Sequence, residues 1–266
     1  MSEQLAITSI DAHGIARITM NRPEVSNAFN NESLDLICHQ MAQLNTNEAV
    51  RVIIITGAGK NFCAGADLNM MRSAANATAA ENQDDARRLT SMLESFYHSP
   101  KPTIALVNGA ALGGAIGIMA ACDIVIAAQE AFYGLTEARV GLIPGVISPF
   151  VLEAIGARQA RRFFLTGERF DGETAQSIGL VHKLTPLSNL EATLAKTLKD
   201  IISCGPEALT KSKDLIRAVA GKQINDETRE ETAHRIAERR ASKEGQEGMN
   251  AFLEKRAPSW VTKVDT

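Results

Sequence analysis

The sequence predicts an α/β fold, and three observations carry that prediction. RVIIIT (Arg51–Thr56) is a β-branched run without polar alternation, the pattern of a strand covered on both faces. Strand-like and helix-like segments alternate through about residue 185, as in cores built from ββα or βαβ units. From about Asn189 the character changes to successive amphipathic helices, which predicts a core over 1–188 and a C-terminal helical region over 189–266.

Each element follows from its own residues. ITSI and IARITM flank DAHG, a turn-like tetrapeptide, so residues 7–20 read as a hairpin. Asn30–Asn47 carries Leu34, Ile37, Met41 and Leu44 at helical spacing. After RVIIIT comes a glycine-rich connection, GAGKNFCAGADLN (Gly57–Asn69), and then a more polar, mostly helical stretch, Ser73–Ser99. TIALVN, a short helix around GIMAACD, DIVIAA and an extended AFYGLTE complete the core. NLEATLAKTLKDIIS, PEALTKSKDLIRAVAG and the charged segment after Asn225 are the C-terminal helices, their alternating charges a solvated face.

Composition narrows the function classes. The chain has 266 residues, formal charge −3, 45% hydrophobic and 22% charged residues, which is globular rather than disordered and gives no global pull toward nucleic acid. Cys38, Cys63, Cys122 and Cys204 are scattered, with no CxxC pair, as in a reducing compartment. The first residues carry neither a basic n-region nor an apolar h-region, and a cytoplasmic protein is expected. Five scattered histidines without ligand spacing predict no metal.

The nearly uncharged stretch Thr103–Ala128 contains Gly109, Gly113, Gly114 and Gly117. Its first part has spanning length, but it is rich in Ala and Gly and lacks basic anchors and aromatic belts, which disfavours a membrane segment. A phosphate loop fares no better: GAGKNF has Phe62 where GxGxxG needs glycine, and GxxxxGK is absent. Close approach of backbone to a ligand is left. Gly113 and Gly114 sit where a helix starts and its N–H groups lack intrahelical partners. CAGAD (Cys63–Asp67) is a second small-residue loop after a buried strand, and two such loops could aim two N–H donors at one carbonyl oxygen. Tight helix–strand packing explains each loop, taken alone, equally well.

Together NRPEVSNAFN, ITGAGKNFCAGADLNMM, VNGAALGGAIGIMAACDIVIAA, FYGLTEARVGLIPG and AFLEKRAPSW resemble the enoyl-CoA hydratase/isomerase (crotonase) family, in order and over nearly the whole chain. The resemblance implies a spiral of repeated ββα turns and a C-terminal helical region that forms trimers or dimers of trimers. It implies an acyl-CoA thioester substrate and no cofactor beyond the CoA of the substrate; the mildly acidic charge disfavours a nucleic-acid partner, and no membrane partner is expected. Matched by position, it implies oxyanion donors at the N–H groups of Ala64 and Gly114 and an acid/base at Glu137. It also implies CoA contacts from Ala28, Ala64, Gly65, Ala66, Asp67, Leu68, Gly113, Phe252 and Lys255. A lysine near phosphate is physically sensible as a point charge, although a solvated helix lysine fits the letters as well.

One departure bears on mechanism. Hydratases of this family use a second glutamate in the helix after the glycines, and here Gly117 stands in its place. Single-glutamate members include Δ3,Δ2-enoyl-CoA isomerases. GLIPGVISPFVLEAIG (Gly141–Gly156) instead resembles a bacterial methylglutaconyl-CoA hydratase-like subgroup that also tends to lack the first glutamate. The expected activity is hydration of a 2-enoyl-CoA, branched or glutaconyl-type, with isomerisation as the alternative. A non-catalytic CoA-thioester or RNA-binding homologue is the reading from another class.

Overall fold

A computed structural model describes residues 4–261. The order is β1 (Ala6–Ile10), β2 (Ile15–Met20), α1 (Asn31–Thr46), β3 (Val52–Gly57), α2 (Leu68–Asn76), α3 (Ala79–Tyr97), β4 (Thr103–Val107), β5 (Ala111–Leu112), α4 (Gly114–Ala121), β6 (Ile124–Ala128), β7 (Phe132–Gly134), α5 (Ser148–Thr166), β8 (Arg169–Asp171), α6 (Gly172–Ser177) and β9 (Lys183–Thr185). Four helices follow: α7 (Leu190–Ser203), α8 (Pro206–Val219), α9 (Asp226–Ala241) and α10 (Lys243–Leu253). The chain divides into two compact units, Met1–Ala195 and Lys196–Thr266.

In the first unit a six-stranded sheet has the order β1-β2-β3-β4-β6-β9. β1 and β2 pair antiparallel, Ala6 opposite Met20, as DAHG predicts, and the remaining pairs are parallel. Every residue of β3 and β4 is buried, so their unbroken apolar runs match a sheet covered on both faces. β2 alternates instead, burying Ala16, Ile18 and Met20. α1 starts on a reciprocal cap in which Asn30 accepts from the Ser33 N–H and Ser33 Oγ accepts from the Asn30 N–H. It buries Leu34, Ile37, Met41 and Leu44, the four residues the spacing marks. A smaller three-stranded sheet has the order β5-β7-β8.

The topology decides where loops gather. β3 and β4 are parallel neighbours, Ile53 opposite Thr103, so the segments leaving their C-terminal ends emerge side by side, where ligands bind in open α/β sheets.

In the second unit the Glu244 carboxylate accepts from the N–H groups of Glu207 and Ala208 at the start of α8 and pairs with Arg239. It thereby satisfies two of the orphan donors of that helix with a favourably placed negative charge.

Candidate active site

The two small-residue loops converge. Cys63 and Ala111 form a parallel bridge, with the Cys63 N–H donating to Ala110 O and the Leu112 N–H donating to Cys63 O. Gly65 has φ +89° and lies so close to the neighbouring loop that a Cβ there would sit 2.8 Å from Leu112 O and 3.7 Å from Gly114 N. Only glycine suits that position. Gly113, with φ +53°, caps α4 and donates its N–H to Gly134 O of β7. Gly114 is then the first residue of α4, and a Cβ there would meet the Phe29 ring at 2.5 Å.

Of the two expected donors, one is already engaged inside the chain: the Ala64 N–H donates to Ser26 O at 2.9 Å. Two residues on, Ala66 bridges Phe29 in parallel: the Phe29 N–H donates to Gly65 O and the Asp67 N–H to Phe29 O. In such a bridge the N–H of Ala66 itself points away from Phe29. Among the described residues the N–H groups of Ala66 and Gly114 donate to no protein acceptor.

Glu137 opens a short 3-10 turn, Glu137–Val140, just after β7. A Cβ at Gly113 would lie 3.4 Å from Glu137 Oε1, which places the carboxyl at the mouth of α4. Its Oε2 is buried with no hydrogen-bond partner among the described residues. Burial, against a weaker effect of its own backbone N–H, raises the Glu137 pKa above the usual carboxylate range.

Packing around Gly117 leaves no free space for a side chain, which the sequence did not reveal. A Cβ there would lie 2.4 Å from Ile147 Cγ2, 2.9 Å from Ile147 Cβ and 3.3 Å from Leu93 Cδ1. Ile147 and Leu93 are fully or almost fully buried. The space in which a second acid/base side chain would start is therefore filled by an aliphatic one.

Ala28 is buried, and its carbonyl accepts from Arg22. Asp67 is buried with both carboxylate oxygens engaged, Oδ1 by the Asn69 N–H and Oδ2 by Arg22, so its side chain serves the loop. The Asn69 N–H, then Arg22, hold its carboxyl below the usual range. Leu68 starts α2 and is exposed. Phe252, exposed on α10, and Lys255, with φ +55°, belong to the second unit. Cys63 is buried, its thiol pKa is pushed up to about 12, and its Sγ accepts from the Gly65 N–H, which suits packing rather than nucleophilic attack. Sequence reasoning missed Arg22, Asn27 and Ile147. Asn27 Nδ2 donates to Ala58 O and Asn61 O, tying the NRPEVSN loop to the loop after β3.

Two unengaged amides and a desolvated carboxyl lie together at the loops of the sheet, an arrangement chemically able to polarise a carbonyl and move a proton beside it. The family model for enoyl-CoA hydratase/isomerase matches residues 11–263, and the chain belongs to that family. It is similar to a crystal structure from Legionella pneumophila provisionally assigned as an enoyl-CoA hydratase/isomerase (crotonase), at 42% identity and TM-score 0.93, covering 98% of this chain and 100% of that one. An enoyl-CoA hydratase from Shewanella pealeana is 37% identical with TM-score 0.93, covering 97% of each chain. Among curated relatives, (E)-benzylidenesuccinyl-CoA hydratase of Thauera aromatica is 32% identical over 96% of this chain and 99% of its own. Among the described residues no helix is long and apolar enough to cross a membrane.

Proposed function

We propose that the protein hydrates a 2-enoyl-CoA, with Glu137 as its single acid/base and the N–H groups of Ala66 and Gly114 holding the thioester oxygen. The observation that carries this reading is the Glu137 carboxyl, 3.4 Å from the Cβ position of Gly113, beside two unengaged amides.

One carboxylate suffices for the balance of atoms. As water attacks the β-carbon, Glu137 takes one of its protons, and the electron pair of the double bond moves onto the thioester oxygen. The resulting enolate is where the two amides stabilise more charge than in the ground state, and one such donor is worth about 3–4 kcal/mol. Glu137, now protonated, returns the proton to the α-carbon. A raised pKa suits a group that must act as base and then as acid. Residues 1–188 would then be the acyl-CoA-binding core, with Gly65, Gly113 and Leu68 beside the thioester and pantetheine. Residues 189–266, with Phe252 and Lys255, would form the region that assembles trimers or dimers of trimers and reaches CoA.

A second reading has its own observation. The Ile147 and Leu93 side chains beside Gly117 present an apolar wall, which favours moving a proton between carbons without water, as in a Δ3,Δ2-enoyl-CoA isomerase.

Turnover of crotonyl-CoA, 3-methylglutaconyl-CoA and a 3-enoyl-CoA, with products identified by mass, separates the readings. Gain of water on a 2-enoyl substrate, lost in Glu137→Gln, is the expected result. Mass-neutral conversion of the 3-enoyl substrate alone would replace hydration by isomerisation. No turnover on any of the three would refute both.

A further inference from the structure

We propose that Arg22 is a positioning residue for the oxyanion hole, acting through Asp67 and Ala28 on the peptide that carries the Ala66 N–H. This inference rests on the function proposed above, since it assigns a purpose to the same site.

The geometry is that of a brace. Arg22 Nη2 donates to Asp67 Oδ2 at 2.7 Å, and Nη1 donates to Ala28 O at 2.6 Å. The two acceptors lie on the two segments that form the Phe29–Ala66 bridge: Ala28 precedes Phe29, and Asp67 follows Ala66. One planar guanidinium thus spans both sides of the bridge, a geometry for which arginine is suited and lysine is not. Asp67 Oδ1 also accepts from the Asn69 N–H at the start of α2, so the residue after Ala66 is fixed by Arg22, by the helix and by Phe29. The Arg22 backbone is held in turn, its N–H donating to the Asn27 side chain and its carbonyl accepting from the Asn27 N–H.

The ion pair is set back from solvent, with side-chain exposures of 16% and 7%. Both carboxylate oxygens of Asp67 are engaged within the loop, Oδ1 by the Asn69 N–H and Oδ2 by Arg22, so its charge serves the loop. An exposed ion pair would tolerate loss, whereas an amide aimed at a developing charge loses rate when displaced by a fraction of an ångström.

The test uses the full chain carrying Arg22→Ala, Arg22→Lys, Asp67→Asn and the Arg22→Ala/Asp67→Asn pair. Thermal unfolding, kcat and KM on the substrate that the wild type turns over, and the carbonyl stretch of a bound enoyl-CoA are measured for each. Expected for Arg22→Ala is a kcat reduced roughly 10- to 100-fold with KM changed less than about threefold. The bound carbonyl should be less polarised than in the wild type. The double variant should be little worse than Arg22→Ala, because both changes cut the same brace. Arg22→Lys, which can keep one contact but not both, should fall between. If Arg22→Ala does not fold, Arg22→Lys decides by the same kcat and carbonyl readouts. Wild-type kcat and carbonyl polarisation in a folded variant, with only Tm lowered, would overturn the proposal and leave the function standing. A wild type inert toward every acyl-CoA would overturn the function, and this inference with it.

Discussion

Replacing Gly117 by alanine tests whether the one-carboxylate site is imposed by packing. The new Cβ would sit 2.4 Å from Ile147 Cγ2, where ordinary contact begins at 3.4 Å, so about 1.0 Å must be found (3.4 − 2.4). Ile147 cannot easily retreat: it is 2% exposed, and its carbonyl accepts from the Val151 N–H in the first turn of α5. Its Cβ, at 2.9 Å, blocks a second line of approach. Overpacking of this order costs about 1–3 kcal/mol. Glycine to alanine inside a helix returns about 1 kcal/mol. The expected net is a destabilisation of about 1 kcal/mol, or roughly 2–4 °C in Tm for a unit of this size. Urea unfolding followed by far-UV circular dichroism measures it. Ile147→Ala alone should cost about 2–5 kcal/mol through its cavity. The double variant should be at least about 1 kcal/mol more stable than additivity predicts, because the added methyl enters the space vacated. A Gly117→Ala protein as stable as the wild type, with an additive cycle, would refute the steric account and leave room for a longer acid side chain at 117.

Three further residues, Glu137, His182 and Glu244, yield testable outcomes. On the proposed mechanism Glu137 must be ionised to accept a proton, and its pKa is raised by burial, so the acid limb of kcat/KM should lie above the ordinary carboxylate range. Glu137→Gln should abolish that limb and lower the rate by about 10²–10⁴. The same raised pKa means that its contribution to stability is present at low pH and lost as pH rises toward neutrality, so Glu137→Gln should gain Tm relative to the wild type over that rise; an unchanged difference would contradict it. His182 Nδ1 accepts from the Val125 N–H and its pKa is lowered by burial, so its contribution is present above the usual imidazole range and lost as pH falls below it. His182→Ala should flatten the urea midpoint between about pH 8 and pH 5, and a slope equal to the wild type's would count against the bond. In the second unit, Glu244→Ala strips the start of α8 of its acceptor and should cost about 1–2 kcal/mol, with faster amide exchange at Glu207 and Ala208. Unchanged protection there would show that water caps the helix equally well.

What could be read from the sequence was whatever depends on neighbours in the chain. The β3 run, the β1–β2 turn and the stripe on α1 are each set by residues within one element, and period and turn chemistry report them directly. Ile147 is of another kind. It lies 30 residues beyond Gly117, in a segment with no period of its own, and only the packing of α5 on α4 brings it there. Arg22 is similar, since its partner Asp67 is 45 residues away.

The difference between Ala64 and Ala66 is the most instructive, because within the loop that the sequence singles out the amide expected to be free is engaged and the one two residues on is not. CAGAD has two alanines flanking one glycine, and in an extended chain residues two apart face the same way. Regular strand geometry would therefore let either N–H point at the ligand. Gly65 breaks that symmetry: at φ +89° it turns the chain between them, so that Ala64 donates back to Ser26 while Ala66 bridges Phe29 with its N–H outward. An alanine in place of Gly65 would meet Leu112 O at 2.8 Å and oppose the same turn. The position of that glycine, more than the alanines beside it, decides which amide is free to meet a substrate.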